Sequence, residues 1–193
     1  YEIMPSLVGS EMCIRDRHSI IGKDLDSLAD DVSFGVAPSL IVFSLFKEMD
    51  YSGAMESLAG VFPYLAFLLS VFSALRLAKF NNDTRQTSSF VGLPVPANAL
   101  FWASLVTGAH DWLVSSNFHP VYLLLLVCLF SWLLVSEIPM FSLKFKNLSW
   151  KDNKTSFIFL LVCIPFLIFL GICSFSAIIV WYILLSLITR KSK

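Results

Sequence analysis

The stretch Gly22 to Phe46, GKDLDSLADDVSFGVAPSLIVFSLF, decides the fold, because a charged helix start runs without a break into an apolar helix. Crossing the hydrocarbon core of a bilayer takes about 20 apolar residues in an α-helix. Asp26 and Asp30 stand four residues apart, so on a helix they share one face, one turn from each other. Ser33 continues that stripe, and Ser27 with Asp31 lies on the neighbouring one. Charge at membrane depth is expensive, and a carboxylate pair there marks a functional site by default. Acids also favour helix N-termini, which accounts for Asp24 and Asp31. It does not account for an acid stripe that continues a full turn into the apolar helix.

Working outward, the rest of the chain repeats the apolar theme. Its 193 residues are 56% hydrophobic and 15% aromatic, more apolar surface than a soluble domain of this size needs. The chain reads as an all-α, polytopic transmembrane helical bundle, with spans near 26–46, 58–79, 95–113, 120–139, 156–171 and 173–189. The last two share one apolar run broken around Gly171 and are expected to form a tight hairpin. Pro38, Pro63 and Pro165 fall inside spans, which membrane helices tolerate.

Orientation follows from Lys and Arg in the short loops. With Lys23 on the cytoplasmic side, that side collects Lys23, Arg76, Lys79, Arg85, Lys144, Lys146, Lys151, Lys154, Arg190, Lys191 and Lys193, while the outer side holds only Lys47. The Asp26/Asp30 end of the first span therefore faces the cytoplasm. His110, Asp111 and His119 fall at the outer interface, and Glu137 falls near the cytoplasmic end of the fourth span, where a basic residue can pair with it. Lys144 to Lys154, with Phe145 and Trp150, reads as a basic-aromatic segment on the membrane lipids. So apolar a chain is a poor nucleic-acid binder. Cys13, Cys128, Cys163 and Cys173 form no CxxC, no metal-type spacing with His and no disulfide framework.

Residues 1–17, YEIMPSLVGSEMCIRDR, match a translated sequencing-library adapter, and the natural sequence is expected to begin near His18. Such segments are set aside in fold reasoning. The remainder divides into a core, 18–140, a basic loop, 141–155, and the C-terminal hairpin, 156–193.

Gly22, Asp26 and Asp30 spell G-x3-D-x3-D, which resembles the second half of the signature of the CDP-alcohol phosphatidyltransferases, D-x2-D-G-x2-A-R followed by G-x3-D-x3-D. Three further stretches are similar to the serine-using bacterial branch of that family: Asp26-Ser27-Leu28-Ala29-Asp30 with Val32 to Pro38, Leu75-Arg76-Leu77-Ala78-Lys79-Phe80-Asn81, and Phe90-Val91-Gly92-Leu93-Pro94-Val95-Pro96. The resemblance covers roughly His18 to Pro139, with the hairpin a weaker match. It implies transfer of a phosphatidyl group from CDP-diacylglycerol to the hydroxyl of L-serine, with release of CMP, by a homodimeric multi-pass enzyme of the bacterial inner membrane. It also implies a divalent metal, Mg²⁺ or Mn²⁺, and a metal-binding set to which Asp26 and Asp30 belong, Asp30 matching the general base. Gly22, Lys23, Ser27, Arg76, Lys79 and Asn81 become the substrate-binding candidates, Arg76 and Lys79 as holders of the serine carboxylate or the phosphates.

Two departures accompany the resemblance. The first half of the signature has no counterpart, so N-terminal spans are expected to be missing and the chain as written to be inactive. Asp31 stands where the family is usually apolar. A sister enzyme taking glycerol phosphate or inositol phosphate stays open at this point. A transporter would favour inverted-repeat symmetry or a central charged pathway, and the sequence has neither.

Overall fold

The computed structural model describes residues 20–51, 53–82, 90–115, 117–140 and 154–191. The adapter-like segment 1–17 and most of the basic loop, including Phe145 and Trp150, lie outside the described residues. The first span is one long helix in two parts, α1 (Ile20–Asp31) and α2 (Ala37–Glu48), joined by a π-helical turn, Val32–Val36. Pro38 is one reason for the turn's position. Proline has no N–H to give and its ring crowds the preceding turn, and a wider turn on its N-terminal side relieves both problems. The Ala37 amide bonds the Val32 carbonyl across the wide turn, and the Ser39 hydroxyl donates to the Gly35 carbonyl at 2.8 Å.

The second span enters more slowly than its hydropathy suggests. Instead of α-helix from residue 58, the chain makes two 3₁₀ segments, Gly53–Leu58 and Phe62–Phe67, before α3 (Leu68–Asn82) begins. Gly60 and Pro63 interrupt the α-helical ladder there. After α3 a two-residue strand, Phe90–Val91, pairs antiparallel with Pro139–Met140. Gly92, at φ 78°, then docks the chain on the end of the helix Pro120–Val135: its amide bonds the Ile138 carbonyl at 2.9 Å, and the Leu93 amide bonds the Leu133 carbonyl at 3.1 Å. A side chain on Gly92 would meet the carbonyls of Leu134 and Ser136 at 2.8 Å, so both conformation and space call for glycine. This brace sets the entry into α4 (Val95–Val114), which is followed by α5 (Pro120–Val135), α6 (Lys154–Leu170) and α7 (Ser174–Lys191).

Among the described residues, three stretches are long and apolar enough to cross a membrane: Leu25–Glu48, Phe62–Asn81 and Ser156–Thr189; Pro120–Val135 is a shorter apolar helix. The last long stretch is folded back on itself, as expected. Gly171, at φ 54°, opens a single 3₁₀ turn, and Phe159 of α6 packs edge-on against Tyr182 of α7 with ring centroids 6.1 Å apart. The bundle is centred on buried Trp102 and the stacked pair Phe101 and Phe130, 4.0 Å between centroids. Large apolar side chains such as Phe169 and Ile168 point outward, the arrangement an all-α membrane protein adopts where its surroundings are lipid.

The two ends of the bundle carry different polar contacts. At the end of α2, His110 Nε2 lies 2.9 Å from Glu48 Oε2, and Lys47 sits over the Phe43 ring. Nearby the Tyr51 hydroxyl donates to the Phe46 carbonyl at 2.9 Å, and burial raises its pKa. This is the end read as outer. The carboxylate pair lies at the other.

Candidate active site

Asp26 is exposed and Asp30 half-buried on α1, one turn apart on a regular helix. The pairing of α1 with α3 brings the second sequence stretch to them. Asn81 Nδ2 donates to Ser27 Oγ at 2.7 Å, and Gly35 faces Ser73, whose Cβ would stand 3.0 Å from a Cβ built on the glycine. The helices are antiparallel: eight residues along α1 and its π turn, from 27 to 35, correspond to eight residues back along α3, from 81 to 73. On that register Asp30 lies level with Ala78, and Arg76 lies about 3 Å deeper at 1.5 Å per residue. Asp26, Ser27, Asp30, Arg76, Lys79 and Asn81 are thereby gathered at one end of one helix pair.

Their environments differ. Arg76 is only 7% exposed; its guanidinium carbon lies 5.8 Å from the Phe80 ring centre, and its Nε has no hydrogen-bond partner among the described residues. A buried cation of that kind is costly unless something pairs with it. Lys79 is engaged: its Nζ lies 3.1 Å from Glu137 Oε1, tying α3 to the segment after α5. The sequence placed Glu137 near a basic residue, and the structure identifies Lys79 as that residue. Ser27 and Asn81 hold each other across the helix pair. Gly22 is exposed within α1, and the side chain of Lys23 lies outside the described residues.

One turn beyond Asp30 on the same helix, a groove of about 410 Å³ opens between Ser33, Ala37 and Ile41 and, across it, Pro96, Ala99 and Ala103 of α4. Its lining is almost wholly apolar. A charged end and an apolar groove thus follow one another along one helix.

Sequence reasoning did not anticipate the position of Asp31. Its Oδ1 is buried against Gly35, where any side chain would collide with it, and has no hydrogen-bond partner among the described residues; neither does the fully buried Ser73 hydroxyl. The only signal in the sequence was the acid itself, one residue past the pair and outside its stripe.

As metal ligands, Asp26 and Asp30 have the right chemistry, hard oxygen donors of the kind Mg²⁺ takes one or two at a time alongside substrate phosphates. Among the described residues no group of three His, Cys, Asp or Glu side chains converges to complete a protein-only site.

No protein-family model matches the chain. Curated relatives do. The CDP-diacylglycerol–serine O-phosphatidyltransferase of Helicobacter pylori is 30% identical over 204 aligned positions, covering 99% of this chain and 81% of that protein. The enzyme of the same name from Bacillus subtilis is 33% identical over 120 positions, 62% of this chain and 58% of that protein. The archaetidylserine synthase of Methanothermobacter thermautotrophicus is 35% identical over 91 positions, 47% of this chain and 35% of that protein. With a relative at this identity matched along nearly the whole chain, and with the G-x3-D-x3-D pair and Arg76 at one end of one helix pair, the chain belongs to the CDP-diacylglycerol–serine O-phosphatidyltransferase family.

Proposed function

We infer that the protein transfers a phosphatidyl group from CDP-diacylglycerol to L-serine, giving phosphatidylserine and CMP. The observation that carries this reading is the Asp26/Asp30 pair with Arg76 close in depth on the antiparallel helix and an apolar groove one turn further in. Such a site suits a donor with a charged pyrophosphate at the membrane surface and acyl chains below it. The names of the bacterial and archaeal relatives have serine in common as the group attached, which favours serine over glycerol phosphate as acceptor.

In this mechanism Asp30 accepts the proton of the serine hydroxyl as that oxygen bonds to the phosphorus nearest diacylglycerol. The bond from that phosphorus to the CMP oxygen breaks, and CMP leaves with the electron pair. A helical carboxylate at the water boundary suits the task, because it lies within reach of a small polar acceptor. Asp26 and Asp30 would hold Mg²⁺ or Mn²⁺, which when bound neutralises charge on the pyrophosphate. Arg76 would hold an anionic group of a substrate. Lys79, already paired with Glu137, would contribute to the positive field at the site mouth. The reading places the site on the cytoplasmic face of a bacterial inner membrane, where the lysine and arginine count of the loops puts it, in an enzyme working as a homodimer.

The test is a serine-dependent CMP-release assay on the protein with its natural upstream sequence, in phosphatidylcholine vesicles carrying CDP-diacylglycerol, with and without Mg²⁺ or Mn²⁺, the lipid product being identified by mass. CMP release that needs both serine and the metal supports the reading. Release with glycerol phosphate but not serine would move the chain to a sister activity.

A further inference from the structure

The C-terminal hairpin plays no part in the reaction as proposed, yet one of its residues reaches the site. A close seam joins α7 to α4. A side chain on Gly108 would stand 2.9 Å from the Cys173 amide nitrogen, and Ser104 Oγ lies 2.5 Å from Ser176 Oγ. The Ser176 hydroxyl donates to the Phe101 carbonyl at 2.9 Å. Small residues and hydroxyls of this kind let membrane helices approach closely. Residue 108 meets 173 and 104 meets 176, so the two helices are antiparallel. Tyr182, six residues past Ser176, therefore comes level with Asn98 in the first turn of α4. That is the end of the bundle where Asp30 and Arg76 lie. Tyr182 packs against both the main core and the hairpin's own cluster, and it lies within electrostatic reach of the Arg76 guanidinium.

The other company of Arg76 is neutral too. Its guanidinium lies over the Phe80 ring, and among the described residues no carboxylate forms an ion pair with it. A carboxylate partner would hold the guanidinium but cancel the charge that a substrate anion needs. A ring face and a phenol, uncharged at neutral pH, orient it and leave that charge available. We propose that Tyr182 is a positioning residue for Arg76, holding the guanidinium from the hairpin side so that it meets its substrate anion already oriented. Such preorganisation lowers the cost of binding. This rests on the serine-transfer reading and deepens it, since it makes the hairpin a working part of the active site. The seam to α4, rather than the contact with Phe159, sets the depth of Tyr182.

The experiment measures CMP release by the protein with its natural upstream sequence in phosphatidylcholine vesicles, varying CDP-diacylglycerol and serine separately. The midpoint of unfolding in mixed micelles is measured in parallel. Tyr182→Phe keeps the ring and removes the hydroxyl. It is expected to raise the KM of one substrate by about three- to tenfold, the scale of one hydrogen-bonding group, with kcat and the unfolding midpoint near wild type. Arg76→Lys, which keeps the charge but loses the planar fork, should raise the KM of the same substrate. Tyr182→Phe added to Arg76→Lys should raise it no further, because the two act as one unit. Tyr182→Leu should raise that KM and lower the midpoint as well. A role confined to packing would leave Tyr182→Phe like wild type in both readouts, and that result overturns the proposal. So do effects that multiply in the double variant. Neither touches the serine-transfer reading. CMP release with glycerol phosphate but not serine overturns that reading instead, and Tyr182 is then judged by the same KM comparison with glycerol phosphate. A protein that releases no CMP with either acceptor refutes both.

Discussion

Two antiparallel helix pairs in this molecule solve the same packing problem with opposite materials. Between α6 and α7 the contact is apolar: Phe159, Cys163 and Leu185 are buried together, with Tyr182 and Trp181 against them. Ser186 on that hairpin bonds its own helix, its hydroxyl donating to the Tyr182 carbonyl at 2.9 Å. Between the first helix and α3 the contact is made by the Ser27–Asn81 hydrogen bond and the close approach of Gly35 to Ser73, and Asp31, Ser73 and Arg76 on these two helices each keep a buried atom with no hydrogen-bond partner among the described residues. Lipid tails are as apolar as leucine, so helix association in a bilayer depends on close packing and polar contacts. The hairpin also reaches outward, since the Ser176 hydroxyl of α7 donates to the Phe101 carbonyl of α4 at 2.9 Å, and the buried Trp181 Nε1 has no hydrogen-bond partner among the described residues. The α1–α3 pair carries Asp30 and Arg76, the residues to which the proposed reaction assigns its chemistry.

The contrast is broken most directly at Asp30. Asp30→Asn should lower turnover by roughly 10²–10⁴-fold, the usual contribution of a general base, with CDP-diacylglycerol binding retained; near-normal turnover would remove Asp30 from the base role. Gly35→Val comes next. Overpacking this interface should cost about 1–3 kcal/mol, read as a lower midpoint for unfolding in mixed micelles, and serine affinity should fall with it. If stability fell while serine affinity held, the α1–α3 pair would be structural. Phe159→Ala should cost roughly 1–2 kcal/mol of lost packing yet leave the KM for serine where it was, and a raised KM would erase the distinction between the two pairs. The smallest effect belongs to Lys79 and Glu137, half to mostly exposed at 37% and 69%. A double-mutant cycle on them should give a coupling of about 0.2–1 kcal/mol, declining with added salt.

The sequence made much of this architecture legible, for identifiable reasons. Apolar blocks and loop cations are local, one-dimensional signals, and the helices and the hairpin at Gly171 follow from them. The face shared by Asp26 and Asp30 needed only the helical period. What escaped depends on a partner helix. Pro38, Gly60 and Pro63 mark where the helices are disturbed, but not that Val32–Val36 widens into a π turn or that α3 starts at Leu68 after two 3₁₀ segments. Glu137 could be assigned a basic partner but not Lys79 in particular, because the two are 58 positions apart. Asp31 is the instructive case. By itself it reads as an acid at a helix start, and only the space left by Gly35, four residues on, lets its Oδ1 become buried.

The fold at Gly171 has a consequence for how the chain reaches the membrane at all. Ser156–Thr189 is a 34-residue apolar stretch whose turn, Gly171–Cys173, carries no charged residue. During synthesis it can enter the bilayer as a closed loop, both ends staying on the side where they were made. Nothing more polar than three uncharged residues and their backbone has to be carried across. The basic residues on either side of it, Lys154 and Lys191 among them, then act as a cleat that keeps the loop from sliding through.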